Sequence, residues 1–247
     1  MTRRIGIAAA LATVVGVGLA AGEAPASAAV TIGEDTSSAP NNAYIGCSID
    51  PSIVCTEAQV EHPTKSYAAP FDGVIVRWRI YGTSPVTLRV LRPTSGDTYT
   101  GVGRSATGIA SGQGEKVFPA SLQIRMGDLI GLNISGAGNV GRNLTAGAAF
   151  AHFNPALADG ETRAPTQPNP GQALLYNADL EPDADGDGFG DETQDQCLGT
   201  AGSQNGCAAA SVPVAPLAPA KKKKCRKHKK HRSAESAKRK CKKKKHG

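Results

Sequence analysis

The sequence predicts an all-β protein, a jelly-roll-like β-sandwich, and three observations carry that expectation. Segment 73–81 alternates: Val74, Val76, Trp78 and Ile80 share one side while Arg77 and Arg79 share the other, which is the period of a half-buried strand. Short apolar runs occur at 86–91, 117–118, 122–124, 129–132, 148–153 and 173–176, with Gly, Pro, Asn and Asp between them. No segment of this body places its apolar residues at helical spacing.

In chain order, the sequence opens with Met1, Thr2, Arg3 and Arg4, runs apolar from Ile5 to Ala21 and reaches Ala26, Ser27 and Ala28. A basic start, an apolar stretch and small residues at the −3 and −1 positions are the parts of a cleavable secretory signal, so segment 1–28 is expected to be removed by a cut before Ala29. The apolar run is short and rich in Gly and Ala, unlike a membrane anchor, and no other segment is apolar for long enough to span a bilayer. The expected location is secreted or extracellular, or retained at the cell surface. Segment 29–43, rich in Ser, Pro and Asn, is expected to be flexible, and 44–182 to form the sandwich.

Aromatic side chains are scarce, with Trp78 the single tryptophan, so the core must rest on Val, Ile, Leu and Ala and has reason to use staples. The six cysteines fall as three local pairs, Cys47 with Cys55, Cys197 with Cys207 and Cys225 with Cys241. An even count in an exported chain reads as disulfides, and nearest-neighbour pairing is the simplest connectivity. Zinc is the rival, discounted because there is no C-x-x-C and no Cys/His cluster outside the tail.

Within the body, 160–172 is Pro-rich and polar and is expected to be a long loop. Gly101-x-Gly103 and Gly112-x-Gly114-x-Lys116 lack the strand–loop–helix setting of a phosphate cradle and read as hairpin turns. The body holds only His62 and His152, contains neither H-E-x-x-H nor G-x-S-x-G, and scatters Asp72, Asp97, Glu115 and Asp128 without pairing them. No catalytic residue emerges, and a non-enzymatic protein is expected. His152, between Phe150 and Phe153, reads as a packed or rim histidine. Trp78, Tyr81 and Tyr99 suit the core better than a sugar platform; a glycan-binding module or a polysaccharide-active domain is the alternative.

One motif carries specific chemistry. In 183–197 carboxylates stand at alternate positions, Asp183, Asp185 and Asp187, and beyond them come Gly188, Phe189, Asp191, Glu192 and Asp195. Calcium is a hard cation that takes six to eight oxygens at roughly 2.3–2.6 Å, and carboxylates at positions 1, 3 and 5 converge on it when the chain curls. Gly188 at position 6 permits the sharp turn, the Phe189 carbonyl at position 7 offers an oxygen, and Asp191 at position 9 binds directly or through water. Without an ion these acids repel one another, so binding would order the segment as well as fill it.

This run resembles a thrombospondin type 3 repeat, the Asp-rich calcium cassette that ends in a disulfide cysteine, over 183–207. The resemblance implies Ca²⁺ as the bound ion and Asp183, Asp185, Asp187, the Phe189 carbonyl and Asp191 as ligands. It departs from the family at position 12, where a carboxylate is usual and Gln194 stands; Asp195, one place later, or Glu192 closes the shell. The cassette is single, whereas the family runs repeats in series. More loosely, the body resembles the all-β modules that precede such cassettes in secreted bacterial proteins, with 176–182 as the last strand. Together these imply a secreted calcium-binding surface or adhesion-type protein, with a carbohydrate or a protein as the expected class of ligand for the sandwich.

The net charge of +7 conceals an acidic body and a basic end: 10 Lys or Arg against 19 Asp or Glu in 29–220, and 16 against the single Glu235 in 221–247. An Ala/Val/Pro stretch, 208–220, is expected to be an extended linker. The disordered basic tail then presents Lys221, Lys222, Lys223, Lys224, Arg226, Lys227, Lys229, Lys230 and Arg232, and after a short gap Lys238, Arg239, Lys240, Lys242, Lys243, Lys244 and Lys245. Such density binds polyanions by counterion release. After export the available polyanions are anionic cell-wall or membrane-surface polymers, and no specific nucleic acid is expected. A solvated charge run, or docking of the tail on the acidic body, are the other readings.

Overall fold

The structure, a computed structural model, describes residues 28–47, 50, 52–83 and 85–209. Most of the expected leader, the linker from 210 onward and the whole basic tail with Cys225 and Cys241 lie outside the described residues. No helix occurs among those described. The strands are β1 (Val30–Gly33), β2 (Tyr44–Ile45), β3 (Val54–Glu61), β4 (Gly73–Thr83), β5 (Val86–Pro93), β6 (Tyr99–Arg104), β7 (Gly114–Ile124), β8 (Leu129–Ser135), β9 (Asn139–Phe153), β10 (Thr162–Arg163), β11 (Gln167–Leu174) and β12 (Tyr176–Pro182). They form one antiparallel sheet in the order β1-β12-β4-β9-β3-β8-β5-β6-β10, with β7 also on β4 and with β2 and β11 also on β9.

The long strand β9 joins the two halves of this sheet. Its first residues, Asn139 and Val140, pair with Thr83 and Gly82 of β4, while Ala149 to Phe153 pair with β3. Both halves send apolar side chains into one core: Ile75, Trp78 and Ile80 of β4 and Tyr176, Ala178 and Leu180 of β12 meet Leu88 and Val90 of β5, Ile130, Leu132 and Ile134 of β8, and Phe150 of β9. Trp78 is fully buried with its ring 4.5 Å from that of Phe118. With so few aromatics, burial of these aliphatic faces supplies most of the driving force, at roughly 25 cal/mol per Å² of apolar surface.

The alternation in 73–81 is realised with one change. The register shift at Asp179/Leu180 makes Val76 an extra residue of β4 opposite β12, while on the other side β7 sets two residues, Ala120 and Ser121, against Val76. A bulge of this kind reverses the side on which the following residues fall. Ile75 therefore joins Trp78 in the core, and Val76, expected on the core side, lies instead against Gly190 beyond β12.

Other expectations are corrected by pairing. Segment 29–43, expected to be flexible, contributes β1, which pairs with β12 from Val30↔Leu180 to Gly33↔Asn177. Ile32 is buried, and buried Thr36 donates its hydroxyl to Glu115 Oε1 at 2.6 Å. Segment 160–172, expected to be a loop, holds β10 and most of β11. Pro168 and Pro170 are tolerated there because β11 pairs with β9 alone, and an edge strand has no second ladder needing the missing N–H groups. The runs at 117–118 and 122–124 belong to the single strand β7, and 173–176 spans the break between β11 and β12. Gly101 and Gly103 lie inside β6 rather than in a turn; a Cβ on Gly101 would lie 2.3 Å from the Ala158 carbonyl oxygen, so the residue marks a close backbone approach.

Candidate metal centre

The site begins where β12 ends. Glu181, buried at the end of that strand, accepts the N–H groups of Glu192 (3.0 Å) and Thr193 (2.8 Å) at Oε2 and the Thr193 hydroxyl (2.7 Å) at Oε1. The Pro182 carbonyl accepts the Asp191 N–H at 2.9 Å. These contacts close segment 183–191 into a loop whose two ends meet on the last strand. Gly190 is buried at the closure, and a Cβ there would lie 2.5 Å from Glu181 Oε2 and 2.7 Å from Val76 Cγ1, so no other residue fits. From β7, Ser121 donates its hydroxyl to the Gly188 carbonyl at 2.7 Å, and the Ala120 carbonyl accepts Gln194 Nε2 at 2.6 Å. The cassette is thus seated on β7 and β12.

Glu181→Ala would remove the acceptor of three donors on the exposed residues Glu192 and Thr193, at about 0.5–1.5 kcal/mol for each hydrogen bond lost. The expected result is that limited proteolysis cuts within 183–207 at least tenfold faster than in the wild type while the sheet stays intact; an unchanged cleavage rate would show that Glu181 does not latch the cassette.

Inside the loop the carboxylates converge. One oxygen from each of Asp183, Asp185 and Asp187 lies within 4.8 Å of the other two. Asp183 accepts the N–H groups of Asp187 and Gly188, each at 3.0 Å, and Asp187 accepts those of Phe189 at 2.9 Å and Gly202 at 3.0 Å. Gly188, at φ 89°, takes the left-handed conformation that turns the chain back on itself, as its position predicted. Asp191 accepts the Ala184 N–H at 3.1 Å. Burial pushes the Asp191 carboxyl above the ordinary aspartate range; the Ala184 N–H opposes that shift, and repulsion from Asp183, Asp185 and Asp195 adds to it. Asp185 Oδ2 and Asp195 Oδ2 are buried with no hydrogen-bond donor among the described residues. A buried carboxylate oxygen left in that state is costly, and a cation satisfies it.

The two acids left open for closing the shell differ in their surroundings. Glu192 is exposed, and its Oε1 accepts the Ala29 N–H at 2.6 Å. Asp195 accepts the Cys197 N–H at Oδ1 (2.7 Å), its N–H donates to the Gly190 carbonyl (2.9 Å), and its second oxygen is one of the unpartnered pair. The remainder of the cassette is pinned by the Cys197–Cys207 disulfide, with Gln196 N–H donating to the Asn205 carbonyl at 2.9 Å. Cys47 and Cys55 are bonded as well, so two of the three nearest-neighbour pairings are present. The third pairing and all sixteen cationic residues of the tail fall outside the described residues.

A second cluster gathers Cys55, Glu57 and His152, whose distance in sequence hid it. His152 Nδ1 lies 2.7 Å from Glu57 Oε1, and the Cys55 sulfur 3.4 Å from the same oxygen. The sulfur is bonded to Cys47 and so offers no thiolate to a metal. What remains is a buried ion pair. Burial pushes the Glu57 carboxyl up, against His152; the hydrogen bond to Glu57 pushes His152 up, against its own burial.

Beside the cassette, β1, β4 and β7 bound a cavity of about 640 Å³ whose wall includes Ala29, Arg77, Arg79, Asp179, Glu181 and Glu192. Arg79 grips Asp179 through both nitrogens, at 2.8 and 2.9 Å, and Arg77 Nε donates to it at 2.6 Å. Burial raises the Asp179 carboxyl, but Arg79, Thr31 and Arg77 outweigh it and hold the group down to about 2. No protein-family model, curated protein or solved structure matches this chain.

Proposed function

We propose that segment 183–207 is a calcium site of the thrombospondin type 3 kind and that this is a secreted, non-enzymatic, calcium-binding surface or adhesion-type protein. The observation that carries the reading is the convergence of Asp183, Asp185 and Asp187 beside two buried carboxylate oxygens, on Asp185 and Asp195, that have no donor. The donor set is all oxygen, anionic and carried on a curled loop, which is the chemistry a hard divalent cation selects over zinc or copper. Asp183, Asp185, Asp187, the Phe189 carbonyl, Asp191 and Asp195 supply the ligands. Glu192, engaged by Ala29, stays outside the shell. Bound calcium supplies the positive charge that lets these acids pack together, and the chain's own contribution is the seat: Glu181, Gln194 and Ser121 fix the loop on the strands, so that the ion stiffens the joint at the end of β12.

The body is proposed to be a sandwich in which the β4/β12 half and the β5/β8 half pack face to face across the shared core. Two disulfides and the leader-like start support an oxidising, extracellular destination, and the lysine-rich tail is assigned to anionic envelope polymers. Isothermal titration of the oxidised mature chain with Ca²⁺ tests the central reading. One ion per chain is expected, with a dissociation constant of roughly 10⁻⁴–10⁻³ M as in other extracellular sites, and Asp185→Ala should abolish it. Absence of any binding heat up to millimolar calcium would refute the site.

A further inference from the structure

We propose that Glu192 is a docking site for a newly made α-ammonium group, that of Ala29, created when the leader is cut off. The inference rests on the leader reading for the position of the cut and on geometry for the rest. Ala28 and Ala29 are both exposed, so the bond between them lies at the surface. The Ala29 nitrogen sits 2.6 Å from Glu192 Oε1, and β1 starts at the next residue, which fixes that nitrogen by its pairing with β12.

In the uncut chain this nitrogen is a neutral amide that donates one hydrogen bond to a carboxylate. Hydrolysis of the Ala28–Ala29 bond adds one water across it: Ala28 leaves with the new carboxylate, and Ala29 keeps the amine, which takes up a proton at neutral pH. The same 2.6 Å contact then becomes an ion pair, with charge on the donor as well as on the acceptor. The wall of the adjoining cavity favours this. Its carboxylates are Asp179, Glu181 and Glu192, and its cations are Arg77 and Arg79. Asp179 takes both arginines. Glu181 is satisfied by the Glu192 and Thr193 donors. Among the described residues neither Glu181 nor Glu192 has a cationic partner, but Glu181 is filled by three neutral donors whereas Glu192 Oε1 faces the Ala29 nitrogen, so the new ammonium is placed to supply Glu192 with one and to match the wall's three anions with a third cation. Because β1 pairs with β12 and the cassette leaves directly from β12, the contact ties the first residue of the exported chain to the calcium loop. Maturation would thereby complete the seat of the cassette only after export.

The test uses the full chain exported from a bacterial host. Intact mass is expected to show a chain beginning at Ala29. Trace acylation of its α-amine at pH 7 should then be at least about threefold slower than in Glu192→Gln, the change that a half-unit rise in amine basicity produces. A chain with two residues inserted between Ala28 and Ala29, whose displaced amine cannot reach Glu192, should react at the Glu192→Gln rate. Calcium stoichiometry should be the same in all three chains, which certifies the fold of the variants and separates this contact from the metal site. A mature chain that begins elsewhere would overturn the inference through its leader premise. Equal acylation rates in wild type and Glu192→Gln would overturn the docking itself.

Discussion

Removing calcium with a chelator is expected to loosen the cassette while leaving the sheet folded. Segment 183–207 should become the preferred protease cut, and the unfolding of this part should move to lower temperature. A ligand that binds only the folded form stabilises it in proportion to the logarithm of its excess over the dissociation constant, about 1.4 kcal/mol for a ~10⁻⁴ M site in ~1 mM calcium. The pH dependence has a distinctive sign. In the ion-free chain, Asp191 is held above its ordinary range by burial and by Asp183, Asp185 and Asp195. A group whose folded-state pKa is raised contributes stability below its unfolded value and loses it as pH rises through the folded value. The ion-free cassette should therefore resist protease better in the acid range than at pH 7. The calcium-loaded cassette should show the opposite trend, because protons compete with the ion for the same oxygens. Identical protease patterns with and without calcium at both pH values would defeat this expectation.

A comparably large effect is expected from His152→Ala, which strips the only cationic partner among the described residues from a carboxylate with no solvent exposure. Glu57 is buried between β8 and β9, and its second oxygen already lacks a donor. Breaking a buried pair on one side costs about 3–5 kcal/mol, because the remaining charge is uncompensated; with His152 one-fifth exposed at the rim, the lower end of that range applies. The double variant Glu57→Gln with His152→Ala should recover a good part of the loss. Both members of the pair titrate above their ordinary values, so its stabilisation is present below the ordinary histidine range and lost as pH rises through the elevated histidine value. Arg163, whose charge acts against protonated His152, limits the size of that elevation. Wild-type melting temperature should accordingly fall from pH 6 to pH 8, and His152→Ala should lack that slope. A His152→Ala chain within about half a kcal/mol of wild type in chemical denaturation would show that the pair is not a structural element.

Much of the local structure was legible from the chain. The alternation around Trp78 marked β4, the spacing of Asp183, Asp185, Asp187 and Gly188 marked a curled acidic loop, and cysteine proximity marked the Cys47–Cys55 and Cys197–Cys207 bonds. Each of these signals is carried by residues within about ten positions of one another. Composition misled where pairing partners were remote. The polar start, 29–43, supplied β1 because β12 offered an open edge, and 167–174, with Pro168 and Pro170, became β11 because β9 did.

Sequence alone determined the chemistry that this protein carries: carboxylates at alternate positions, short-range disulfides and half-buried strands, since periodicity and short loops are encoded by neighbours. Tertiary structure alone decided which groups meet. The bulge at Val76 that makes room beside Gly190, the contact of Ala29 with Glu192 and the pairing of Glu57 with His152 all depend on strand register across about a hundred residues or more. Register is set by the burial of whole faces and by single inserted residues, and no local run of the chain contains that information.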